Sequence, residues 1–227
     1  MTTYAWPGWK VSSFEMRVVP NTRVFNSPFN PASAQVVDLL GELWQVMIEL
    51  PPRTSPVDGA AREAFFDRLR GPVNRISLWN LRFPAPQGTL RDGATASVVN
   101  GSLAAVTVVN ASLAVVTVVY GTPVLVNALA QFASTATISH IAGRTVRAGD
   151  MLGINSQLVR VMADATADGA GRMTIEFLPR MRAAAAAQTV ITWDRPTATF
   201  MLRADGVPTT WRPGLHDAAS LDLIETF

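Results

Sequence analysis

Between Gly93 and Gly143 the chain carries no Asp, Glu, Lys or Arg, and within that stretch it repeats itself every ten residues. Val98-Val-Asn-Gly-Ser-Leu-Ala-Ala-Val-Thr107 is followed by Val108-Val-Asn-Ala-Ser-Leu-Ala-Val-Val-Thr117, identical at eight of ten positions, and then by the diverged Val118 to Asn127. Ten is even, so residues one repeat apart stay on the same face of an extended strand. Asn100-Gly101, Asn110-Ala111 and Tyr120-Gly121 offer two-residue turns between such strands. The competing reading is a membrane span, because Val98 to Val119 is an uncharged run long enough to cross a bilayer. The Val/Thr content and the turn dipeptides favour strands, and no basic flank anchors a span. Strands without charge on either face aggregate if left bare. The expectation is paired strands covered by another subunit or lobe, with Val106, Val108, Val116 and Val118 as oligomer contacts.

Composition points the same way. Only 16% of the 227 residues are charged while 48% are hydrophobic, so much of the surface is neutral or hidden in contacts, which suits a subunit better than a lone monomer. The chain has no Cys, which removes disulfides, thiol nucleophiles and Cys-based metal sites. Lys10 is the single lysine among 19 basic residues and lies outside any Gly-rich loop, so P-loop and Schiff-base chemistry lack a candidate. The pI of 9.6 reflects arginine's high pKa; the net charge is only +2. The first residues lack the basic start and apolar core of a secretory signal, so export by that route is not expected.

Along the chain the patterning is that of a mainly β protein. Phe14, Met16 and Val18 alternate with Glu15 and Arg17, and Trp44, Val46, Ile48 and Leu50 share one side of a second strand ended by Pro51-Pro52. Between them lies the turn-rich Asn26-Ser-Pro-Phe-Asn-Pro31. One helix is signalled from Pro56 to Arg70, with Ser55 as cap, Pro56 at the first helical position and Gly71-Pro72 as stop. Arg75 to Leu81 reads as a strand, and the Pro/Gly-rich Phe83 to Gly88 as a lobe boundary. The predicted division is therefore a β lobe with the helix over 1–88 and a second β lobe, carrying the repeat, over 89–227. Short strands are expected at Met151–Ile154, Gln157–Met162, Arg172–Phe177, Thr189–Trp193 and Thr197–Arg203, in a sandwich or small barrel. The alanines between Arg182 and Gln188 suggest a helical turn, and Ser220 to Phe227 a final strand or tail.

The sequence offers little catalytic chemistry. His140 and His216 are the only histidines, and both are expected to be structural. No Gly-x-Ser-x-Gly or His-Glu-x-x-His pattern occurs. Asp164-Ala-Thr-Ala-Asp-Gly169 has the opening spacing of a calcium loop, but Ile175 stands where a bidentate Glu is needed, so Asp164 and Asp168 are assigned to a hairpin connection. Trp193 with Arg195 and Trp211 with Arg212 are the closest aromatic–basic pairs, and packing is the expected role rather than nucleic-acid binding. No catalytic residue, cofactor or metal ligand is assigned.

The stretch from Ala148-Gly-Asp-Met-Leu-Gly-Ile-Asn-Ser-Gln-Leu-Val-Arg-Val through Asp164 to Gly171 and Phe177-Leu-Pro-Arg-Met-Arg182 resembles distal-tail or minor-tail (baseplate) proteins of long-tailed bacteriophages. Phe14 to Phe25 and the Trp44 to Pro52 strand before a short helix are also similar to that group. The resemblance implies a structural, non-enzymatic virion protein at the tail tip, made in the host bacterial cytoplasm. It would form a homo-oligomeric ring, commonly a hexamer, between the tail tube protein and a hub or fibre protein, with no sequence-specific nucleic-acid binding and no membrane span. The ten-residue repeat departs from the group's pattern. The alternative is a tail-associated hydrolase or carbohydrate-binding module, which requires clustered carboxylates or a solvent-facing aromatic platform.

Overall fold

A computed structural model describes residues 1–26, 34–91, 94–95, 98–99, 105–106, 119–120, 122–212 and 215–226. The protein is mostly β, with one α-helix among the described residues. Its strands form two six-stranded sheets and several two-stranded ribbons.

The first sheet runs, in spatial order, Thr3–Ala5, Arg75–Trp79, Thr197–Leu202, Ala219–Glu225, Leu43–Leu50 and Ser13–Val19. Only Thr3–Ala5 and Arg75–Trp79 are parallel; every other neighbour is antiparallel. Alternation decides which face is buried. Trp44, Val46, Ile48 and Leu50 are wholly buried and pack with Ile76, Leu78, Phe200, Leu221 and Leu223 from the neighbouring strands. The strand order corrects the expected cut after residue 88. Thr197–Leu202 and Ala219–Glu225 sit at the centre of the first sheet, so the second lobe is an insertion between Trp79 and Thr197. The final segment is a central strand rather than a tail, because Ala219, Leu221 and Leu223 supply a buried face that only neighbours on both sides can cover.

The helix spans Pro56–Leu69. Ser55 is extended (φ −78°, ψ 120°) and its Oγ accepts from the Asp58 N–H at 3.3 Å. Arg70 enters the left-handed region at φ 50° and ends the helix one residue before the expected boundary. Phe65, Phe66 and Leu69 anchor it, Phe65 meeting Trp9 edge-on at 5.2 Å between ring centroids. Gly59 is where the helix passes closest to His216: a Cβ there would lie 2.2 Å from the imidazole.

The second sheet runs Val124–Leu125, Thr135–Ser139, Arg172–Leu178, Gln157–Val161, Met151–Ile154 and Ile191–Thr192. Its two ends meet. Leu125 N–H donates to Thr189 O at 2.9 Å, Ile191 N–H to Pro123 O at 2.9 Å, and Val124 bridges Val190, nearly closing a small barrel. Leu152, Ile154, Val159, Val161, Ile175 and Phe177 fill it and are wholly buried. The expected helical turn over Arg182 to Gln188 is absent. Ala185 instead exchanges backbone hydrogen bonds with Leu129 at 2.8 and 3.0 Å, because a barrel wall there needs extended backbone more than alanine needs helix.

Of the repeat, Val98–Val99 pairs antiparallel with Ala105–Val106, and Val119–Tyr120 with Ala94–Thr95. Val99 lies opposite Ala105, and the expected turn dipeptides Asn100-Gly101 and Asn110-Ala111 lie outside the described residues. Val106 faces Val98 across this ladder, while Val108, Val116 and Val118 lie outside the described residues.

Candidate functional site

Two places where the molecule deals with polar or exposed apolar surface stand out: the seam between sheet and barrel, and a ribbon that leaves the sheet. At the seam, the Trp44 indole N–H donates to Leu158 O at 2.8 Å, and the Arg160 guanidinium lies 4.9 Å from the centre of the same indole. Arg160 also donates to Met16 O at 2.9 Å. Its burial, with Arg82 nearby, lowers its pKa, but an arginine stays charged all the same. Met151 and Leu158 of the barrel are counted in the sheet's own core, so the two hydrophobic clusters touch.

The barrel segment around residue 181 is held to the sheet by acids. Arg182 forms a bidentate pair with the buried Glu225, whose second oxygen also accepts from Trp44 N–H at 3.0 Å. Glu42, likewise buried, accepts from Arg180 N–H at 3.1 Å, and the Arg180 guanidinium pairs with Asp38 at 2.7 Å. That bond, with a second from Leu40 N–H, holds the Asp38 carboxyl below the usual aspartate range, and it raises Arg180 in turn. A cavity of about 630 Å³ opens along this seam, lined by Phe132, Gln157, Met181, Arg182, Thr199 and Glu225 among others. Its walls are largely apolar and its two charged members are bonded to each other, so it suits a side chain better than acid–base chemistry.

On the other side of the barrel, the wholly buried Asp150 carboxyl accepts from Gln87 N–H at 2.7 Å and Arg147 N–H at 2.8 Å, tying the Pro/Gly-rich connection to the barrel. Gly88 permits that approach: a Cβ would lie 2.2 Å from Thr145 O.

The ribbon pairs Thr22–Asn26 antiparallel with Ala34–Asp38, with Val24 opposite Val36. Val24 is 59% exposed, Phe25 54% and Val36 62%. Each strand packs chiefly on the other, and the contacts that fix the ribbon are at its base, where Leu39 N–H donates to Asn21 O at 2.8 Å and Asp38 meets Arg180. The sequence marked only the turn-rich residues 26–31 here, and 27–31 lie outside the described residues.

The residues singled out for chemistry are placed apart. His140 is hydrogen-bonded through Nε2 to Leu90 O at 2.8 Å, whereas His216 stands 3.6 Å from Glu63 across the molecule's other core. Asp217 pairs with Arg212 at 3.2 Å rather than with His216. Asp168 accepts from Ala170 and Arg172 N–H groups at 2.9 and 2.8 Å, organising the connection into Arg172–Leu178. Asp164 is held by Ala148 N–H and Arg147, which lower its pKa in that order. Among the described residues no three of His, Asp and Glu gather as a metal-holding group. Glu42 is bonded by the Arg180 N–H, with that guanidinium 3.6 Å away, and Glu225 by the Arg182 guanidinium, while Trp211 is an exposed ring. Arg195, itself exposed, lies 5.8 Å from the centre of the half-buried Trp79 ring. No described helix is long and apolar enough to cross a membrane.

No known protein family and no curated protein matches this chain.

Proposed function

We propose that the chain is a structural subunit of a homo-oligomeric ring, a hexamer by the phage-tail resemblance, at the distal end of a long-tailed bacteriophage tail, where it joins the tube to a hub or fibre protein. The observation that carries the oligomer is the ribbon. A two-stranded hairpin is marginal in water on its own, and one with Val24, Phe25 and Val36 exposed gains its stability when a neighbouring surface covers them. Arms of this kind reach from one copy to the next in a closed ring. The tail assignment rests on the turn-and-strand resemblance, and the low charge of the chain supports it.

Native mass spectrometry of the purified protein at micromolar concentration is expected to give one closed oligomer. Val24→Ser combined with Val36→Ser is expected to return it to monomer while leaving the monomer folded. A wild-type protein that is monomeric under these conditions, or a double variant that assembles as the wild type does, overturns the reading.

A further inference from the structure

The helix N-terminus borders a second cavity, of about 320 Å³, and its walls collect an unusual share of the molecule's positive charge. Lys10, the single lysine of the chain, lines it together with Arg53 and Arg62. These three come from different parts of the chain: Gly8, at φ 74°, precedes the Trp9-Lys10 pair, Trp9 packs on Phe65 and Phe66 of the helix, and Arg53 follows the Leu43–Leu50 strand. Asp58 is the one acid in the lining.

Arg62 is the telling member. It is 3% exposed, yet only its Nη2 is bonded, to Pro51 O at 3.0 Å, while its buried Nη1 has no hydrogen-bond partner. An unpaired donor on a buried guanidinium is costly unless something supplies an acceptor. Desolvation lowers the Arg62 pKa, the nearby Arg53 lowers it further, and Asp58 acts in the opposite sense. Neither Lys10 nor Arg53 forms an ion pair with any described residue. Glu63, the next acid along the helix, is turned to His216.

We propose that this cavity is an oxyanion site that binds a phosphate group, free or as a small phosphate monoester. Three cations against one carboxylate leave two positive charges, which match a phosphate dianion better than a monovalent carboxylate. The positive end of the helix dipole lies on the same side, although the Asp58 and Gly59 N–H groups are already taken by Ser55. Trp9 gives the wall an aromatic surface beside the anion, where the organic part of an ester would rest. The site is independent of the ring reading and stands or falls separately from it.

The test is a titration of the full chain, at about pH 7.5 where phosphate is mostly dianionic, followed through the Trp9 indole N–H resonance. Inorganic phosphate and phenyl phosphate are the probes, with sodium chloride at matched ionic strength as the control. Saturable shifts with phosphate but not chloride are expected, weakened about fivefold or more in Lys10→Gln and in Arg53→Gln, both of which leave Arg62 in place. Tighter binding of phenyl phosphate identifies the ester as the preferred form, and equal binding the free anion; either supports the site. A response equal to that of chloride, or phosphate binding unchanged in both variants while their thermal midpoints match the wild type, overturns it.

Discussion

The barrel and the sheet are built from the same number of strands, yet they end differently. In the barrel, Val124 and Val190 bring the two ends together, so the sheet is nearly closed and little of its edge is left among the described residues. The sheet stays open at Thr3–Ala5 and Ser13–Val19. Its Ser13–Val19 edge is only partly guarded, by Arg160 reaching over from the barrel to Met16 O, and the exposed ribbon springs from the end of that same strand. The contrast teaches where assembly is possible: a nearly closed barrel contributes rigidity, whereas an open sheet with an arm contributes contact. An inserted barrel that touches its host through Trp44, Leu158 and the acid–arginine pairs keeps the arm's base fixed.

The largest expected effect breaks that division directly. Trp44 is wholly buried and serves both halves, so Trp44→Ala is expected to cost about 3–5 kcal/mol, read by urea denaturation. If sheet and barrel fold as one unit, the wild type unfolds in one transition and the variant's sheet melts before its barrel. A loss under about 1 kcal/mol would mean that the seam does not couple them.

The smallest effect sharpens the picture at the arm's base. The Asp38 carboxyl is held below the ordinary aspartate range by Arg180 first and Leu40 N–H second. A depressed folded value makes this contribution fully present above the unfolded aspartate pKa and lost as pH falls through the folded one. An NMR titration is expected to place the Asp38 midpoint below that of an unfolded peptide. Arg180→Gln is expected to return it toward the ordinary value; a midpoint unmoved by that substitution would show that the base is not fixed by this pair.

Much of the local structure was legible. Ser55, Pro56 and Gly71 delimit the helix because capping acts within a few residues, and the alternation around Trp44 marks a strand with one buried face. Partnership was not legible. Thr197–Leu202 reads as a strand from its own residues, but nothing local says that it returns to the first sheet across the inserted barrel. The ribbon was hidden for a different reason: Asn26-Ser-Pro-Phe-Asn-Pro31 announces a turn, while the short arms beside it carry too few residues for a clear period. The alanines before Gln188 misled because helix propensity is weak against barrel closure at Ala185. Lys10, Arg53 and Arg62 share no motif spacing, and only the fold assembles them.

The account turns on the claim that the ribbon is covered by another copy while the barrel needs none. Amide hydrogen exchange at high and low protein concentration tests it most directly, because protection reports local opening residue by residue. The account predicts that Val24, Phe25 and Val36 amides exchange slowly when concentrated and much faster when diluted to monomer, while Val159 and Phe177 in the barrel are equally protected at both. Fast exchange in the ribbon at every concentration, or a concentration dependence that appears in the barrel instead, would contradict it.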